Sequence, residues 1–329
     1  MSLRLLFCSI IMTASTTLPA WSLEIAPFQI RNFSPTALIH GLSIAETPRL
    51  LLAGTTSLST SFDMANNASL STRKNEQILF DGESYIATLG LRYGLTDTLQ
   101  LGIDLPWLWH SEGFMDSFIS DWHDFFGLPN GDRDDLKNDQ LDYLYSRRGK
   151  EHLALQNETD GFGDLRLQIA WQFKATEKSA YTLRTQVKTP TGDGDKLTGS
   201  EAWDLSLALS AQRDFSLDKG QASLWGGFGV SWLGDGDVLK DEVEDYAANG
   251  WVGAGWAPLN WLALKLQLDS HTALYDSNLT ELGDPAIMLT LGGTLALNEK
   301  TLLDIGVGED LNVNASPDVT FHLRLAHKF

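Results

Sequence analysis

The chain has 329 residues and a formal net charge of −19, because 43 acidic side chains outnumber 24 basic ones. This excess of negative charge excludes nucleic-acid binding through phosphate contacts, which requires a basic surface. The single cysteine, Cys8, excludes a disulfide framework and a cysteine-based zinc site, and the sequence carries no motif that calls for a cofactor.

Residues 1–22 have the pattern of a secretory signal peptide. Arg4 provides a basic start, residues 5–12 are apolar, and the small residues Ala20 and Ser22 offer cleavage positions. Cleavage after either residue fits the pattern, and the position after Ser22 is slightly favoured. Because Cys8 lies in the removed part, the mature protein is expected to lack cysteine and to leave the cytoplasm.

Residues 23–48 form a separate segment. They do not alternate between apolar and polar side chains, and they contain Pro27, Pro35 and Pro48, which disfavour a regular strand. Two interpretations remain open: the segment is a periplasmic tether, or it folds inward as a plug.

Residues 49–329 are predicted to form strands that cross a membrane. No stretch of the mature chain approaches the roughly 20 consecutive apolar residues that a spanning helix needs. Apolar and polar residues instead alternate with the period of two that places successive side chains on opposite faces of a strand. The pattern recurs at residues 50–64, 85–95, 99–109, 165–173, 181–188, 203–210, 222–232, 246–256, 262–270, 287–297, 301–307 and 319–329. The predicted fold is therefore all-β, an antiparallel up-and-down transmembrane β-barrel of about twelve strands.

The last predicted strand carries a further signal. Residues 319–329 alternate in character and end the chain on Phe329. A C-terminal strand that ends in Phe resembles the closing strand of bacterial outer-membrane barrels. The resemblance implies that Phe329 is an assembly signal for the barrel assembly machinery and that the last strand pairs with the first.

The connections between the predicted strands alternate in length. Turns such as 96–97, 175–179 and 298–300 are short, whereas the intervening connections are long, and the longest covers residues 110–163. Outer-membrane barrels have short periplasmic turns and longer extracellular loops. Most of the negative charge falls in the long connections. Acidic loops are therefore expected on the outer face, near lipid and lipopolysaccharide, in the outer membrane of a Gram-negative bacterium.

The polar faces of the strands carry charges of both signs. On the lipid face each Arg or Lys would cost roughly 2–4 kcal/mol at the membrane midplane, so these charges are assigned to the lumen. The predicted lumen-lining residues are Arg92, Asp104, Asp164, Arg166, Arg184, Lys188, Asp204, Lys265, Asp269, Asp304 and Arg324. The two signs balance, which argues against a strong preference for cations or anions, and no solute is identified.

The longest connection contains a predicted helix. Phe114, Phe118, Trp122 and Phe125 recur at near-helical spacing with acidic residues between them, which indicates a short amphipathic helix. A position in the barrel mouth, as a constriction, is favoured over one on the rim against lipid or a partner. His123 is interpreted as a rim or packing residue.

Glycine and aspartate cluster where strands meet the outer side. Asp193, Asp195, Asp235 and Asp237 are weak candidates for a hard cation such as Ca²⁺, which takes oxygen ligands. Glycine also permits the positive-φ turns that end strands, and no cluster has the spacing of an EF-hand. Structural turns are favoured, and no metal site is predicted.

The histidines raise the alternative of a lipid hydrolase. Such an enzyme needs a His and a Ser within hydrogen-bond reach, with a polar group that orients the His. The nearest candidates are His110 with Ser111, and His271 with Ser277 and Asn278, and neither lies in a motif. The chain is therefore predicted not to be an enzyme.

Several segments resemble one family. The segment SEGFMDSFISDWHDFFGLPNGDRDD, residues 111–135, resembles the long-loop signature of domain-of-unknown-function family 3187, a family of uncharacterised Gram-negative outer-membrane proteins. The likeness extends to PFQIRNFSP, LFDGESY, TPTGDGDKLTGS, WLGDGDVL and GEDLNVNASPDVTFHL, and so spans the mature chain. The resemblance implies a barrel in the outer membrane and supplies no catalytic or ligand residue.

Strand number bears on function. Eight strands leave an interior filled by side chains, and sixteen leave an open channel. Twelve strands therefore predict a narrow or partly occluded lumen. The leading functional hypothesis is passage of a small solute across the outer membrane, and the alternative is a non-conducting structural or interaction protein.

Overall fold

The computed structural model describes residues 23–126, 132–133 and 136–329, so the predicted signal peptide lies outside the described residues. Within these residues there are two α-helices and fifteen strands. In chain order they are β1 (Thr56–Arg73), β2 (Glu76–Thr96), β3 (Leu99–Ser111), α1 (Asp116–Phe126), β4 (Asp142–Arg147), β5 (Lys150–Leu155), β6 (Thr159–Phe162), β7 (Arg166–Ala175), β8 (Ser179–Lys188), β9 (Asp204–Ser216), β10 (Gln221–Trp232), β11 (Tyr246–Leu259), β12 (Leu262–His271), α2 (Thr280–Gly283), β13 (Ala286–Asn298), β14 (Thr301–Asp310) and β15 (Val319–Lys328).

Twelve of these strands close into one antiparallel barrel, as predicted. Strands β1–β3 and β7–β15 each pair with two neighbours around the wall. The first and last strands close it, in a register that runs from Ser57 opposite Lys328 to Asn66 opposite Val319. The main-chain N–H of Phe329 then donates to Thr56 O at 2.8 Å. Closure leaves no unpaired strand edge in the wall.

Alternation along each strand separates a lipid face from a lumen face. In β12, for example, Lys265 and Asp269 are buried inside the barrel, whereas Leu264 and Leu266 are exposed on its outer surface. The same alternation places an apolar belt around the outside of the wall, as the hydrocarbon of a bilayer requires. No helix among the described residues is long and apolar enough to cross a membrane.

The two ends of the barrel differ. Short turns join β2 to β3, β7 to β8, β9 to β10, β11 to β12 and β13 to β14 at one end, and long connections lie at the other. By the rule for outer-membrane barrels the short turns mark the periplasmic end. Chain entry before β1 and the C-terminus also lie at this end, since Phe329 bonds Thr56.

The first predicted strand and the long loop differ from the structure. Strand β1 begins at Thr56 rather than Leu50. Strands β1 and β2 are 18 and 21 residues long, and their outer parts extend beyond the wall as a two-stranded ribbon. The outer part of this ribbon pairs with the β4–β5 hairpin, which the sequence analysis missed inside the 110–163 loop. Residues 65–69 and 80–86 are buried on both faces, so they lack the alternation on which strand prediction depends.

Helix α1 forms within the predicted segment, but the favoured constriction in the barrel mouth is wrong. Met115 and Ile119 pack on Val319, Met64 and Phe321. Those wall residues lie on the same face of their strands as the exposed residues of the apolar belt. Helix α1 therefore lies against the outer surface of the barrel.

Outward-facing polar groups hold α1 in this place. Glu83 accepts the main-chain N–H groups of Phe114 and Met115 at 2.9 and 2.6 Å. Phe114, Phe118 and Phe125 are 66%, 53% and 81% exposed on the outside of the barrel. The side chains of Trp122 and His123 lie outside the described part of the chain.

Candidate functional site

The lumen is occupied by the chain's own N-terminal segment, residues 23–49, which we call the plug. Its contacts show an ascending arm, 23–32, a turn at 33–40 near the outer mouth, and a descending arm, 41–49, that returns to the periplasmic end. Neither arm forms a strand. The lumen side chains of the wall therefore hold the plug largely without ladder hydrogen bonds.

The ascending arm is bound mainly through its main chain. Gln267 accepts the N–H of Phe28 at 2.9 Å and donates to the carbonyl of Phe28 at 3.0 Å, which satisfies both backbone groups of that residue. The Phe28 ring lies under Lys265, whose Nζ is 3.9 Å from the ring centroid. Such a contact between a desolvated ammonium group and a ring is favourable.

The turn of the plug anchors at the outer mouth. Asn32 donates to Ala315 O at 2.9 Å, and its Nδ2 lies 2.9 Å from His271 Nε2. His40 Nε2 lies 2.8 Å from the hydroxyl of Tyr275. The apolar residues of this turn pack beneath side chains of the extracellular loops in one buried cluster, which includes Phe33, Leu38, Ile39, Leu197, Leu239, Tyr275 and Leu279.

Gly41 starts the descending arm at a close approach to the wall. Its N–H donates to Asp204 Oδ2 at 2.7 Å. A Cβ at this position would lie 2.9 Å from the Cβ atoms of both Asp204 and Lys188. Only glycine brings the plug this near to the wall without displacing it.

Glu46 makes the most extensive charged contact of the plug. Its Oε1 accepts from Arg92 Nη2 and from Gln168 Nε2, each at 2.8 Å. Its Oε2 lies 3.3 Å from Arg92 Nε and 3.4 Å from Arg184 Nη2. A carboxylate from the plug thus links three wall strands, β2, β7 and β8, and is itself buried.

A cavity of about 590 Å³ lies below Glu46. Its lining includes Glu46, Arg92 and Arg324 at the inner end and Arg49 with Asp214 at the periplasmic end. Arg49 and Asp214 form an ion pair of 2.5 Å that fixes the plug where it leaves the barrel. Space is therefore present on the periplasmic side of the plug, whereas the outer mouth is packed.

All the predicted lumen residues lie on the inner side of the wall, and most pair with one another. Arg92 binds Asp104 at 2.8 Å, Lys188 binds Asp164 at 2.6 Å, and Lys265 binds Asp304 at 2.6 Å. Two inward acids have other partners: Lys188 also lies 3.4 Å from Asp204, and Asp269 accepts from Gln267. Arg166 donates to Leu38 O of the plug at 3.2 Å. Arg184 reaches Glu46, and Arg324 lies 3.7 Å from Asp304.

The sequence analysis missed the plug residues that meet these charges. Glu46 of the plug was not singled out, and neither Gln168 nor Gln267 of the wall was predicted to bind the plug. Glu46 is nevertheless an isolated acid near the end of a mostly apolar segment. If that segment is placed inside the barrel, its carboxylate must find a cation there.

The residues considered for a hydrolase are not brought together. His110 Nδ1 lies 2.9 Å from Ser84 Oγ rather than contacting Ser111, and its Nε2 lies 3.1 Å from Leu197 O. Ser277 donates to Glu76 at 3.1 Å, whereas His271 contacts Thr272 O and Asn32. Ser84 and His110 are themselves fully buried, so no substrate reaches this pair, and it braces the wall.

The glycine–aspartate clusters close the outer loops. Asp164 accepts the N–H groups of Gly192 and Ser200 at 2.7 and 3.1 Å, and a Cβ on Gly192 would lie 2.7 Å from the main chain of Gly199. Asp195, Asp235 and Asp237 are exposed, and Asp193 is half-buried. Within the described ranges no group of three His, Cys, Asp or Glu side chains is placed to hold a metal ion.

One buried acid makes the outer loops sensitive to pH. Glu281 in α2 accepts from Ser71 Oγ at 2.5 Å, while its Oε2 has no partner among the described residues. Burial raises the pKa of this carboxyl above its ordinary value. The folded state therefore favours the protonated form, and the stability it contributes is lost as the pH rises through the raised pKa.

Glu281→Gln is expected to remove this pH dependence and to stabilise the protein at pH 8 by about 1 kcal/mol, because no buried charge is left unpaired. Urea unfolding at pH 5 and pH 8 measures both effects. The exposed residue Glu244 provides the control, Glu244→Gln. Equal pH dependence in wild type and Glu281→Gln would contradict the prediction.

Three solved structures were compared with this chain, and the first of them agrees with its architecture. An outer membrane channel from Pseudomonas putida F1 superposes with a TM-score of 0.58 at 15% sequence identity, over 85% of this chain and 97% of that chain. The NanC porin gives a TM-score of 0.44 at 6% identity, over 83% and 98% of the two chains. The Ralstonia pickettii toluene transporter TbuX gives 0.39 at 10% identity, over 85% and 90%. The first of these shows that the fold is that of an outer-membrane barrel.

No curated protein matches the sequence. The family model described as protein of unknown function (DUF3187) matches residues 2–329. Because that match covers nearly the whole chain, the protein belongs to the DUF3187 family.

Proposed function

We propose that this protein is a channel of the outer membrane, closed in the state described here, in which the plug is the gate. One observation carries the proposal: residues 23–49 fill the lumen of a complete barrel without joining its wall. The wall closes through its own twelve strands, so movement of the plug breaks no wall pairing.

The chemistry of the interface supports movement. The arms of the plug meet the wall largely through polar side chains such as Gln267, Asp204 and Arg92. Water can replace each of these hydrogen bonds, so the net cost of separating one is only about 0.5–1.5 kcal/mol between neutral groups and about 1.5–3 kcal/mol where a charged group takes part. Leu23, Ile25 and Ala45 of the arms also belong to a small apolar cluster with Trp225 and Trp251 of the wall. A wholly apolar interface would instead expose a much larger surface that water solvates poorly.

The location and the partners belong to the same proposal. A cleaved signal at residues 1–22 carries the chain out of the cytoplasm, and the β15 strand with Phe329 is read by the barrel assembly machinery. Its acidic outer loops face lipopolysaccharide, and the apolar belt faces membrane lipid. A small solute is the proposed cargo.

Planar-bilayer conductance of purified protein tests the proposal. The intact protein is expected to give few or no current steps, and a variant that lacks residues 23–48 is expected to give steady discrete steps. A variant that lacks residues 113–126 is the control. Because α1 lies outside the barrel, that deletion should leave the conductance unchanged.

A folded plugless barrel that passes no current would overturn the channel function. Resistance of the barrel to denaturation by detergent at room temperature shows that each variant is folded. That outcome would favour the second candidate, a non-conducting surface protein, which the apolar packing of the outer loops over the plug supports.

A further inference from the structure

The carboxylate of Glu46 occupies a site that the wall builds. Arg92 on β2, Gln168 on β7 and Arg184 on β8 converge on this one group. Arg92 alone contacts both of its oxygens, through Nη2 at 2.8 Å and Nε at 3.3 Å. Two nitrogens on two oxygens is the arrangement by which arginine recognises carboxylates.

Around this site, donors without a partner among the described residues outnumber the one such acceptor, Oε1 of Gln168. Nε and Nη1 of Arg184, and Nε of Arg166, have no hydrogen-bond partner among the described residues, although both side chains are buried. Arg166 bonds only a carbonyl oxygen of the plug, and Arg324 only approaches Asp304 at 3.7 Å. Buried donors without partners are unusual in native structures and point to a ligand.

Most inward acids of the wall are paired away from Arg166 and Arg184, although Asp269 accepts only from Gln267 and Asp214 loses its ion pair with Arg49 when the plug moves. Asp104 is paired with Arg92, Asp164 and Asp204 are paired with Lys188, and Asp304 is paired with Lys265. Asp63 contacts His322 at 2.6 Å. These pairs join wall residue to wall residue and persist when the plug moves. Arg184 and Arg166 have no wall carboxylate within ion-pair distance among the described residues, so the bared lumen carries a local excess of positive charge.

We propose that Arg92, Gln168 and Arg184 form a binding site for a carboxylate-bearing solute, and that Glu46 fills it as an internal substitute when the channel is closed. The site deepens the channel function proposed above by assigning its solute class. This assignment departs from the sequence analysis, which counted both signs in the lumen and expected no charge preference. The number of charges of each sign does not decide which lumen side chains can bind a solute. That depends on which of them lack a partner of opposite charge in the wall.

The ligand has a route to the site. The cavity of about 590 Å³ on the periplasmic side is lined by Glu46, Arg92 and Arg324. In a variant that lacks the Glu46 side chain, a small carboxylate can therefore reach the site from this side while the plug is in place. In transport, an incoming carboxylate would compete with Glu46 and favour release of the descending arm.

Rescue of Glu46→Ala by acetate tests the site in the full-length protein. The truncation leaves the guanidinium groups of Arg92 and Arg184 without their carboxylate, so the melting temperature is expected to fall. Sodium acetate should restore it in a saturable manner, whereas sodium chloride at equal ionic strength should not. The double variant Glu46→Ala/Arg184→Gln should bind acetate about tenfold more weakly, because one charged hydrogen bond is lost.

The matched control is Glu46→Ala/Arg213→Gln, since Arg213 is exposed at the periplasmic end of β9. Its acetate rescue should equal that of Glu46→Ala. Equal effects of acetate and chloride, or full acetate rescue in the Arg184 variant, would overturn the carboxylate site. Neither result would affect the channel function, which the current through the plugless barrel tests separately.

A second readout applies if Glu46→Ala does not fold. Glu46→Gln keeps the shape of the side chain and removes only its charge. In bilayers this variant should open more often than wild type, and added acetate should reduce its chloride current by occupying the arginines. An acetate-independent current in Glu46→Gln would overturn the proposal.

Discussion

A disulfide between positions 43 and 229 is expected to lock the channel shut until it is reduced. A Cβ on Gly229 in β10 would lie 3.3 Å from the Cβ of Ser43 in the descending arm, close to the roughly 3.5–4.5 Å found across disulfides. The same Cβ would lie 2.8 Å from Oδ1 of Asn249, a side-chain end that has to turn aside. The Ser43→Cys/Gly229→Cys variant should therefore form this bond in the oxidising periplasm. The loss of Cys8 with the signal would leave no competing thiol in the mature chain.

The lock is most informative when combined with Glu46→Gln, which weakens the plug. The oxidised triple variant should show no current steps, and a reductant added to the same bilayer should start them. Single-cysteine variants provide the control, because reductant should leave their currents unchanged. Currents of equal size before and after reduction would mean that solute passes without movement of the descending arm.

The barrel itself could be predicted from the sequence because the pattern that specifies each strand lies within that strand. A strand between lipid and a polar lumen must alternate, as Leu264 and Lys265 do, so each strand reports its own two faces. The even count, the short periplasmic turns and the inward charges all follow from this constraint. Even the closing pair of strands was predicted, and β1 does pair with β15.

Helix α1 shows where local pattern stops being sufficient. Its apolar residues predict a helix that covers an apolar surface, and both the mouth and the outer wall offer one. Glu83 and Asn66 decide between them, because they face outward and bind Met115 and Asp116. That choice depends on contacts across many residues of sequence, which periodicity does not report.

For a related reason the sequence left open whether residues 23–48 fold inward as a plug or form a periplasmic tether. The arms of the plug lack regular secondary structure, so no period marks which residues face the wall. Contacts such as Gly41 with Asp204 join residues that are distant in sequence. The roles of Gly41 and Glu46, and the prolines of this segment, can be interpreted only once the lumen is known to surround them.

The loss of Lys188 is expected to lower the free energy of unfolding more than the loss of Lys265. Lys188 is fully buried, and its Nζ contacts Asp164 Oδ2 and Ser200 Oγ at 2.6 Å and Ala202 O at 2.9 Å. Its second carboxylate, Asp204, is the one that binds the plug. Lys188→Met would leave two carboxylates buried without a cation and should lower the free energy of unfolding by about 3–5 kcal/mol.

Lys265→Met is the matched comparison, because Lys265 is equally buried but faces one carboxylate, Asp304, which also has Arg324 nearby. Its loss should therefore be smaller. Urea unfolding in lipid vesicles, followed by tryptophan fluorescence, measures both. Adding Asp204→Asn to Lys188→Met should recover part of the stability, because the amide carries no charge. The recovery should be incomplete, because the two oxygens of Asp204 accept the N–H groups of Gly41 and Gly234, and the NH₂ group of Asn cannot accept a hydrogen bond. The double variant should hold its plug more loosely than wild type, because the bond to Gly41 is weakened. The comparison would therefore separate the contribution of Lys188 and its two carboxylates to wall stability from the contribution of Asp204 to binding of the plug.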